Sequence, residues 1–206
     1  IILNSIAMLF YPGGTIIDKE TEGHLFFYNF LSNLGEKTAR NGEENITSAI
    51  FFNSSLVLVS ISFLLFYTKY FQLFKGNLRS YYTILSALFF LSVSIFSFIS
   101  VAIFTADKPN FDLHVFFVKL AFRSLLLFAI LQSLATYLNQ DMTKKVFVAS
   151  LLFTCAIFLF ILMMDYGPNP FENNNALFIQ VTAQKFIAFC ILLNTYFQAN
   201  ESLKYT

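Results

Sequence analysis

Residues 50–73 read IFFNSSLVLVSISFLLFYTKYFQL, a mostly apolar run in which Lys69 is the single charged residue. A helix of about 20 such residues is long enough to cross the hydrocarbon core of a bilayer. Four further long runs and one shorter run at the start of the chain have the same character: 81–104, 113–138, 146–165, 176–198 and 1–11. We therefore predict an all-α, polytopic membrane helix bundle, a single integral-membrane domain with six transmembrane helices, the first of them truncated.

The run 1–11 begins with Ile and has no basic segment ahead of its apolar residues. A secretory signal peptide begins with such a basic region. We therefore expect 1–11 to be the end of a first membrane helix, with further residues upstream, rather than a signal peptide.

The composition argues against several classes of protein. Only 12% of the residues are charged, against about 25% in a typical soluble domain. The net charge is +1 and no basic tract is present, so the sequence offers nothing to hold nucleic-acid phosphates. His24 and His114 are too few for a His-rich zinc site, and we interpret Cys155 and Cys190, within apolar runs, as small hydrophobic residues. We predict neither a metal nor a cofactor.

Basic residues in the loops predict the orientation. One side of the predicted bundle carries more basic than acidic residues: Lys69, Lys75, Arg79, Lys144, Lys145 and Lys204 against Asp141 and Glu201. The other side carries the polar segment 12–49, in which acidic residues outnumber basic ones. Since basic residues concentrate in cytoplasmic loops, we predict that both termini are cytoplasmic and that 12–49 is an outer segment.

Within this outer segment, residues 24–35 read HLFFYNFLSNLG. The apolar residues recur with helical spacing: Phe26, Phe27, Phe30, Leu31 and Leu34. Asn29, Ser32 and Asn33 fall on the opposite face, and Gly35 is placed to end a helix. We predict a short interfacial helix across the outer mouth of the bundle or in the headgroup layer, with an ordered loop as the alternative.

Three basic residues interrupt the apolar runs: Lys119, Arg123 and Lys185. A charge near the bilayer centre costs at least about 2.5–3.5 kcal/mol, so such residues usually face the bundle interior or a cavity. At about 100° and 1.5 Å per residue, Asp112 shares a helix face with Lys119 and Arg123, and all three cations fall in the outer half of the membrane.

Two interpretations of these charges remain open. In the first, Asp112 and Asp165 pair with the cations as structural bridges, and Lys119 extends towards the headgroups. In the second, an outward-facing polar cavity, with Gln184 and His114 in its wall, binds an anionic group such as a lipid phosphate or a carboxylate. The candidate ligand-binding residues are Asp112, His114, Lys119, Arg123, Asp165, Gln184 and Lys185. A proton or ion relay through the same residues is a third possibility.

Three short elements also suggest a family. They resemble the bacterial membrane family filed as domain of unknown function 998, and they are YPGGT at 11–15, NFLSNLG at 29–35 and Asn53 near the start of the run 50–73. The position of His114 also resembles that family. That family often has Asp where Asn33 stands here. The resemblance implies six membrane helices and a distant similarity to the FGF-receptor-activating and DRAM-like group, some members of which are linked to lipid handling. The resemblance implies no enzymatic reaction. For a member of this bacterial family we expect a location in the cell (inner) membrane.

The favoured hypothesis is non-enzymatic binding of an anionic ligand in the outward-facing cavity, with a membrane lipid as the first candidate for that ligand. The alternative is an accessory or assembly subunit of a larger membrane complex, whose partners are other membrane subunits. An intramembrane lipid hydrolase or transferase using Asp112, His114 and Asp165 is least favoured. The i, i+2 spacing of Asp112 and His114 places them on different helix faces.

Overall fold

The computed structural model describes residues 1–205 and is all-α in that range. The six α-helices are α1 (Ile2–Leu9), α2 (Ile46–Tyr70), α3 (Leu78–Ile103), α4 (Phe111–Leu138), α5 (Lys144–Tyr166) and α6 (Asn174–Ser202). Four short 3-10 helices adjoin them or lie between them: Leu31–Gly35, Phe71–Phe74, Lys108–Asn110 and Leu203–Tyr205. The helical bundle predicted from the apolar runs is therefore confirmed.

Five of these helices, α2 to α6, are long and apolar enough to cross a membrane. The remaining helix, α1, has 8 residues, which correspond to a length of about 12 Å. The five long helices identify a multi-pass membrane protein, and α1 packs on α2. That α1 is the end of a sixth transmembrane helix stays a prediction.

The long helices begin a few residues before the apolar runs that predicted them. Asparagine side chains explain two of these starts. The Oδ1 atom of Asn77 accepts a hydrogen bond from the Ser80 amide at 3.1 Å, and that of Asn173 accepts one from the Ala176 amide at 2.9 Å. Such N-caps satisfy amides that have no partner within the helix, so a helix can start in polar sequence.

Each helix packs mainly against its neighbours in the chain. The most extensive contact joins α3 and α4, where the Ser94 hydroxyl donates a hydrogen bond to the Ala121 carbonyl at 3.0 Å. Small residues of this kind allow two helix backbones to approach closely. Helix α3 returns the chain across the bundle between α2 and α4, and α5 does so between α4 and α6. Helices α2, α4 and α6 therefore run in the same direction. We call the end where they begin the cap end, and the opposite end the far end.

Residues 12–45, which we call the cap, connect α1 to α2. A left-handed turn at Gly14, with φ +81°, sets the path of this segment. A Cβ atom at Gly14 would lie 2.3 Å from the Asn41 nitrogen, so only glycine fits there. The Gly14 amide donates to the Thr21 carbonyl at 2.7 Å, and the Asn41 amide donates to the Gly13 carbonyl at 3.1 Å. These bonds join three parts of the cap at one point.

The short helix predicted over 24–35 is present only at Leu31–Gly35, as a 3-10 helix. Two asparagine side chains account for the difference. Asn29 Oδ1 accepts from the Leu25 amide, and Asn33 Oδ1 accepts from the Phe30 amide, each at 2.8 Å. Side-chain bonds of this type compete with the backbone bonds of an α-helix.

The predicted faces of this segment are partly reversed as a result. Asn29 and Asn33 are buried, whereas Phe26 and Phe27 are each 47% exposed. The asparagines are inside because their amides hold the backbone of the cap together, and the aromatic rings face outward.

Candidate functional site

The cap descends into the bundle rather than resting on its end. The Leu31 amide donates to Gln184 Oε1 at 2.7 Å, and Lys185 Nζ donates to the Asn29 carbonyl at 2.7 Å. Because α6 begins at Asn174, Lys185 lies about 16 Å along the helix from its start. The middle of the cap is therefore level with the third turn of α6.

Helix α2 binds the same part of the cap from the other side. Asn45, at its N-cap, donates through Nδ2 to the Glu36 carbonyl at 2.7 Å and to the Leu34 carbonyl at 3.2 Å. Two turns further along, Asn53 Nδ2 donates to the Gly35 carbonyl at 3.2 Å. Irregular backbone at membrane depth is stable only where its polar groups have partners in the protein, and these amides provide them.

Glu36 is a carboxylic acid buried within the cap, with 3% of its surface exposed. Its carboxylate forms an ion pair with Arg40 and accepts a hydrogen bond from Asn33 Nδ2 at 2.9 Å. Burial nevertheless raises the pKa of Glu36 to about 7, because removal from water disfavours the charged form. The cap therefore contains a group that changes charge near neutral pH.

A cavity of about 230 Å³ lies beneath Leu31 and Ser32 of the cap. Its walls come from α2, α3, α4 and α6, and Ile1 and Asn4 border it. Most of the lining is Leu, Ile, Val and Phe. The polar residues in the lining are Asn4, Ser32, Ser55, Ser60, Ser94 and Gln184. The cavity is thus an apolar chamber in the cap half of the bundle, and the cap is its roof.

The chamber opens sideways between α2 and α6. Val59 of α2 and Leu192 of α6 both line it, yet they are 43% and 44% exposed. Exposure at this depth of a membrane helix is exposure to lipid. The two helices are also not among the pairs in extensive contact within residues 1–205. The chamber therefore has an opening between α2 and α6 that the cap does not cover.

The structure brings together three of the residues predicted as a site. Arg123 Nη2 lies 2.9 Å from one carboxylate oxygen of Asp165, and Lys119 Nζ lies 3.5 Å from the other. The side chains of Lys119 and Arg123 are 38% and 52% exposed. This arrangement matches the structural-bridge interpretation for two of the three cations, and none of the three residues lines the chamber.

The other predicted residues lie elsewhere. Lys185 binds the cap, with its Nζ 5.2 Å from the centre of the Phe26 ring. His114 is buried, and its Nδ1 donates at 2.8 Å to the backbone carbonyl that follows α3. Asp112 is exposed, and its side chain forms no hydrogen bond or ion pair with residues 1–205. Gln184 alone among the seven lines the chamber. The structure therefore does not gather the predicted residues around one polar cavity.

The residues of α2 that form the chamber were not predicted from the sequence. The available signal was the set of serines within the run 50–73, including Ser55 and Ser60. Small side chains in an otherwise bulky apolar run leave space between helices where Leu or Phe would fill it. Helical spacing alone does not reveal which neighbouring helix borders that space.

No family model, curated protein or solved structure matches the chain. The resemblance of the segments around residues 11–15, 29–35 and 53 to the domain of unknown function 998 family therefore stays a prediction, as does a role as a subunit of a larger complex.

Proposed function

We propose that this membrane protein binds a membrane lipid without transforming it, and that one acyl chain occupies the chamber beneath the cap. The observation that carries the proposal is the chamber itself. It has a volume of about 230 Å³, apolar walls from four helices, and lining residues on α2 and α6 that are exposed to the bilayer. Such a space favours an apolar chain that can enter from the side.

An empty chamber of this size would be costly, because the side chains that line it would lose their van der Waals contacts on one side. Water does not remove this cost, because apolar cavities of about 150 Å³ stay dry and bind apolar molecules instead. Acyl chains are the apolar molecules present in excess at the lateral opening, and filling by one of them supports the proposal.

Neutral polar groups are available for the glycerol and ester region of the same lipid. Ser32 and Gln184 lie at the roof of the chamber, and Asn4 and Ser55, hydrogen-bonded to each other, lie at its side. Hydroxyl and amide groups can donate to ester carbonyl oxygens. Their position near the cap orients the lipid with its tail towards the middle of the bundle.

An anionic head group, expected from the sequence, is less well supported. Lys119 and Arg123 are paired with Asp165 away from the chamber, and Lys185 donates to the backbone of the cap. We therefore propose the acyl chain, rather than a phosphate, as the part of the lipid that the protein recognises.

A pair of matched variants tests this proposal. Ala188 of α6 lines the chamber, and Ala188→Phe would place a ring inside it. Ala199 lies on the same helix, is also half-buried, and is outside the chamber, so Ala199→Phe is the control. Each protein is purified in mild detergent, and bound lipid is measured by native mass spectrometry and lipid extraction.

We expect lipid to remain bound to the wild type and to the Ala199→Phe variant and to be lost from the Ala188→Phe variant. Circular dichroism checks that each variant keeps its helices. Equal lipid content in a folded Ala188→Phe variant, or a wild type that carries no lipid, would refute the proposal.

A further inference from the structure

The interior of the far half contains several buried polar side chains, in contrast to the mostly apolar chamber of the cap half. Phe63, Leu125 and Ile191 line the deep end of the chamber on α2, α4 and α6. About one turn further along, the rings of Tyr67 and Phe128 meet with their centroids 5.0 Å apart. Beyond this contact, the buried side chains of the same three helices include Tyr70, Gln132, Asn194 and Gln198.

Two of these residues are buried amides that make no hydrogen bond of good geometry within residues 1–205, Gln132 and Gln198, each 0% exposed. Gln198 lies close enough to the Tyr67 hydroxyl to interact with it, whereas Gln132 has no such neighbour among the described contacts. Another buried side chain at this end is satisfied, since the Ser80 hydroxyl donates to the Ala135 carbonyl at 2.7 Å. Unpaired buried amides are rare, because each loses its bonds to water without replacement. The Gln132 amide above all therefore indicates an occupant.

Helices α2 and α6 place further polar groups beside these amides. Tyr67 faces Thr195 and Gln198 across the bundle. The Tyr70 hydroxyl and Asn194 Oδ1 are buried and have no partner among residues 1–205. Since Asn194 and Gln198 are one turn apart on α6, their side chains share a face of that helix.

Helix α4 completes the group from the third side. Gln132 follows Phe128 by one turn, so the two side chains share a face of α4. Phe128 contacts Tyr67, and this face is therefore directed at α2. Along the parallel helices α2 and α4, Gln132 is then near the level of Tyr70, which follows Tyr67 by almost a turn.

The hydrogen-bond donors and acceptors among the unpaired atoms indicate what kind of molecule would occupy the site. The two glutamines offer amide donors and carbonyl acceptors in equal number, and the tyrosine hydroxyls can do either. A cation would bind the oxygens and leave the amide nitrogens unpaired, and an anion would do the reverse. A water molecule both donates and accepts, and buried waters typically make about three such bonds. We propose that Gln132, Gln198 and Tyr70 enclose an internal water site in the far half of the bundle.

Hydroxyl-radical footprinting of the whole protein in lipid nanodiscs tests this site. A short X-ray pulse generates radicals from water, and mass spectrometry locates the side chains that they modify. We expect modification of Tyr67 and Tyr70, although they are only 3% and 2% exposed. Phe122 and Phe160, a buried aromatic pair with ring centroids 4.6 Å apart, are the internal control and should remain unmodified.

The variant Gln132→Leu/Gln198→Leu should reduce the modification of both tyrosines to the level of that control pair. The wild-type footprint decides the question even if this variant does not fold. Unmodified tyrosines in the wild type would overturn the proposal. Tyrosine modification that changes when choline chloride replaces sodium and potassium salts would also overturn it, because the occupant would then be a metal cation.

Discussion

Raising the pH from about 4.5 to about 7 is expected to remove the stabilising contribution of Glu36 to the cap. Burial places the pKa of Glu36 at about 7 in the folded protein, against an ordinary value of 4.5. Between these values the folded cap keeps a proton that the unfolded cap releases. The stabilisation from this proton is complete below pH 4.5 and is lost as the pH rises to about 7, above which both states are ionised.

The size of the effect follows from the same two values. Since one pKa unit corresponds to about 1.4 kcal/mol, the interval from 4.5 to about 7 amounts to about 3 kcal/mol of cap stability. Glu36 is almost fully buried, so screening by water reduces this figure little. For opening of the cap, about 3 kcal/mol corresponds to a change in the equilibrium constant on the order of a hundredfold.

Hydrogen–deuterium exchange of peptides covering residues 30–45 measures this opening. Burial lowers the pKa of His24, in the same cap, to about 4, so this imidazole increasingly stabilises the cap as the pH rises and opposes Glu36. The contribution of Glu36 is therefore measured as the ratio of the wild-type protection factor to that of the Glu36→Gln variant, which cannot ionise at this position. This ratio should fall as the pH rises through the interval, whereas the ratio of the wild type to the control Glu43→Gln, which removes an exposed carboxylate of the same cap, should stay constant.

A ratio of wild-type to Glu36→Gln protection that is constant or increases between pH 4.5 and 7 would refute this reasoning. Such a result would mean that the ion pair with Arg40 and the hydrogen bond from Asn33 outweigh burial and keep Glu36 ionised.

Two further substitutions test other contacts of the fold. Asn45→Ala removes the donor to the cap carbonyls of Leu34 and Glu36, and we expect it to destabilise the protein by about 1–3 kcal/mol. Thermal unfolding followed by circular dichroism measures this loss, and an unchanged transition temperature would contradict the expectation. Asp165→Asn removes the counter-charge of Lys119 and Arg123, whose exposed surface at this depth faces lipid rather than water, so in the same assay we expect a loss of about 2.5–3.5 kcal/mol. A loss below about 1 kcal/mol would show that water or lipid headgroups screen these charges.

The long helices were predictable because membrane crossing imposes a length and an apolar composition that a single sequence displays. The run 50–73 was sufficient to predict α2, and only its polar first turn was missed. The cap was not predictable in the same way. Its asparagines, such as Asn29, are polar residues that a helical wheel assigns to solvent, yet Asn29 is buried and bonds to backbone groups.

The candidate site was predictable only in part. Helical spacing correctly placed Lys119 and Arg123 on one face, and both reach the same carboxylate. The same spacing could not show that Lys185 contacts the backbone of Asn29, which is distant in the sequence. The chamber is formed by residues of four helices, so its position depends on packing that no single helix encodes.

The rings of Tyr67 and Phe128 lie between the apolar chamber and the buried polar side chains of the far half. An ion moving along the bundle axis would have to shed its hydration shell between these rings, at a large cost in an apolar environment. The protein can therefore carry polar groups deep in one leaflet without becoming a conductor.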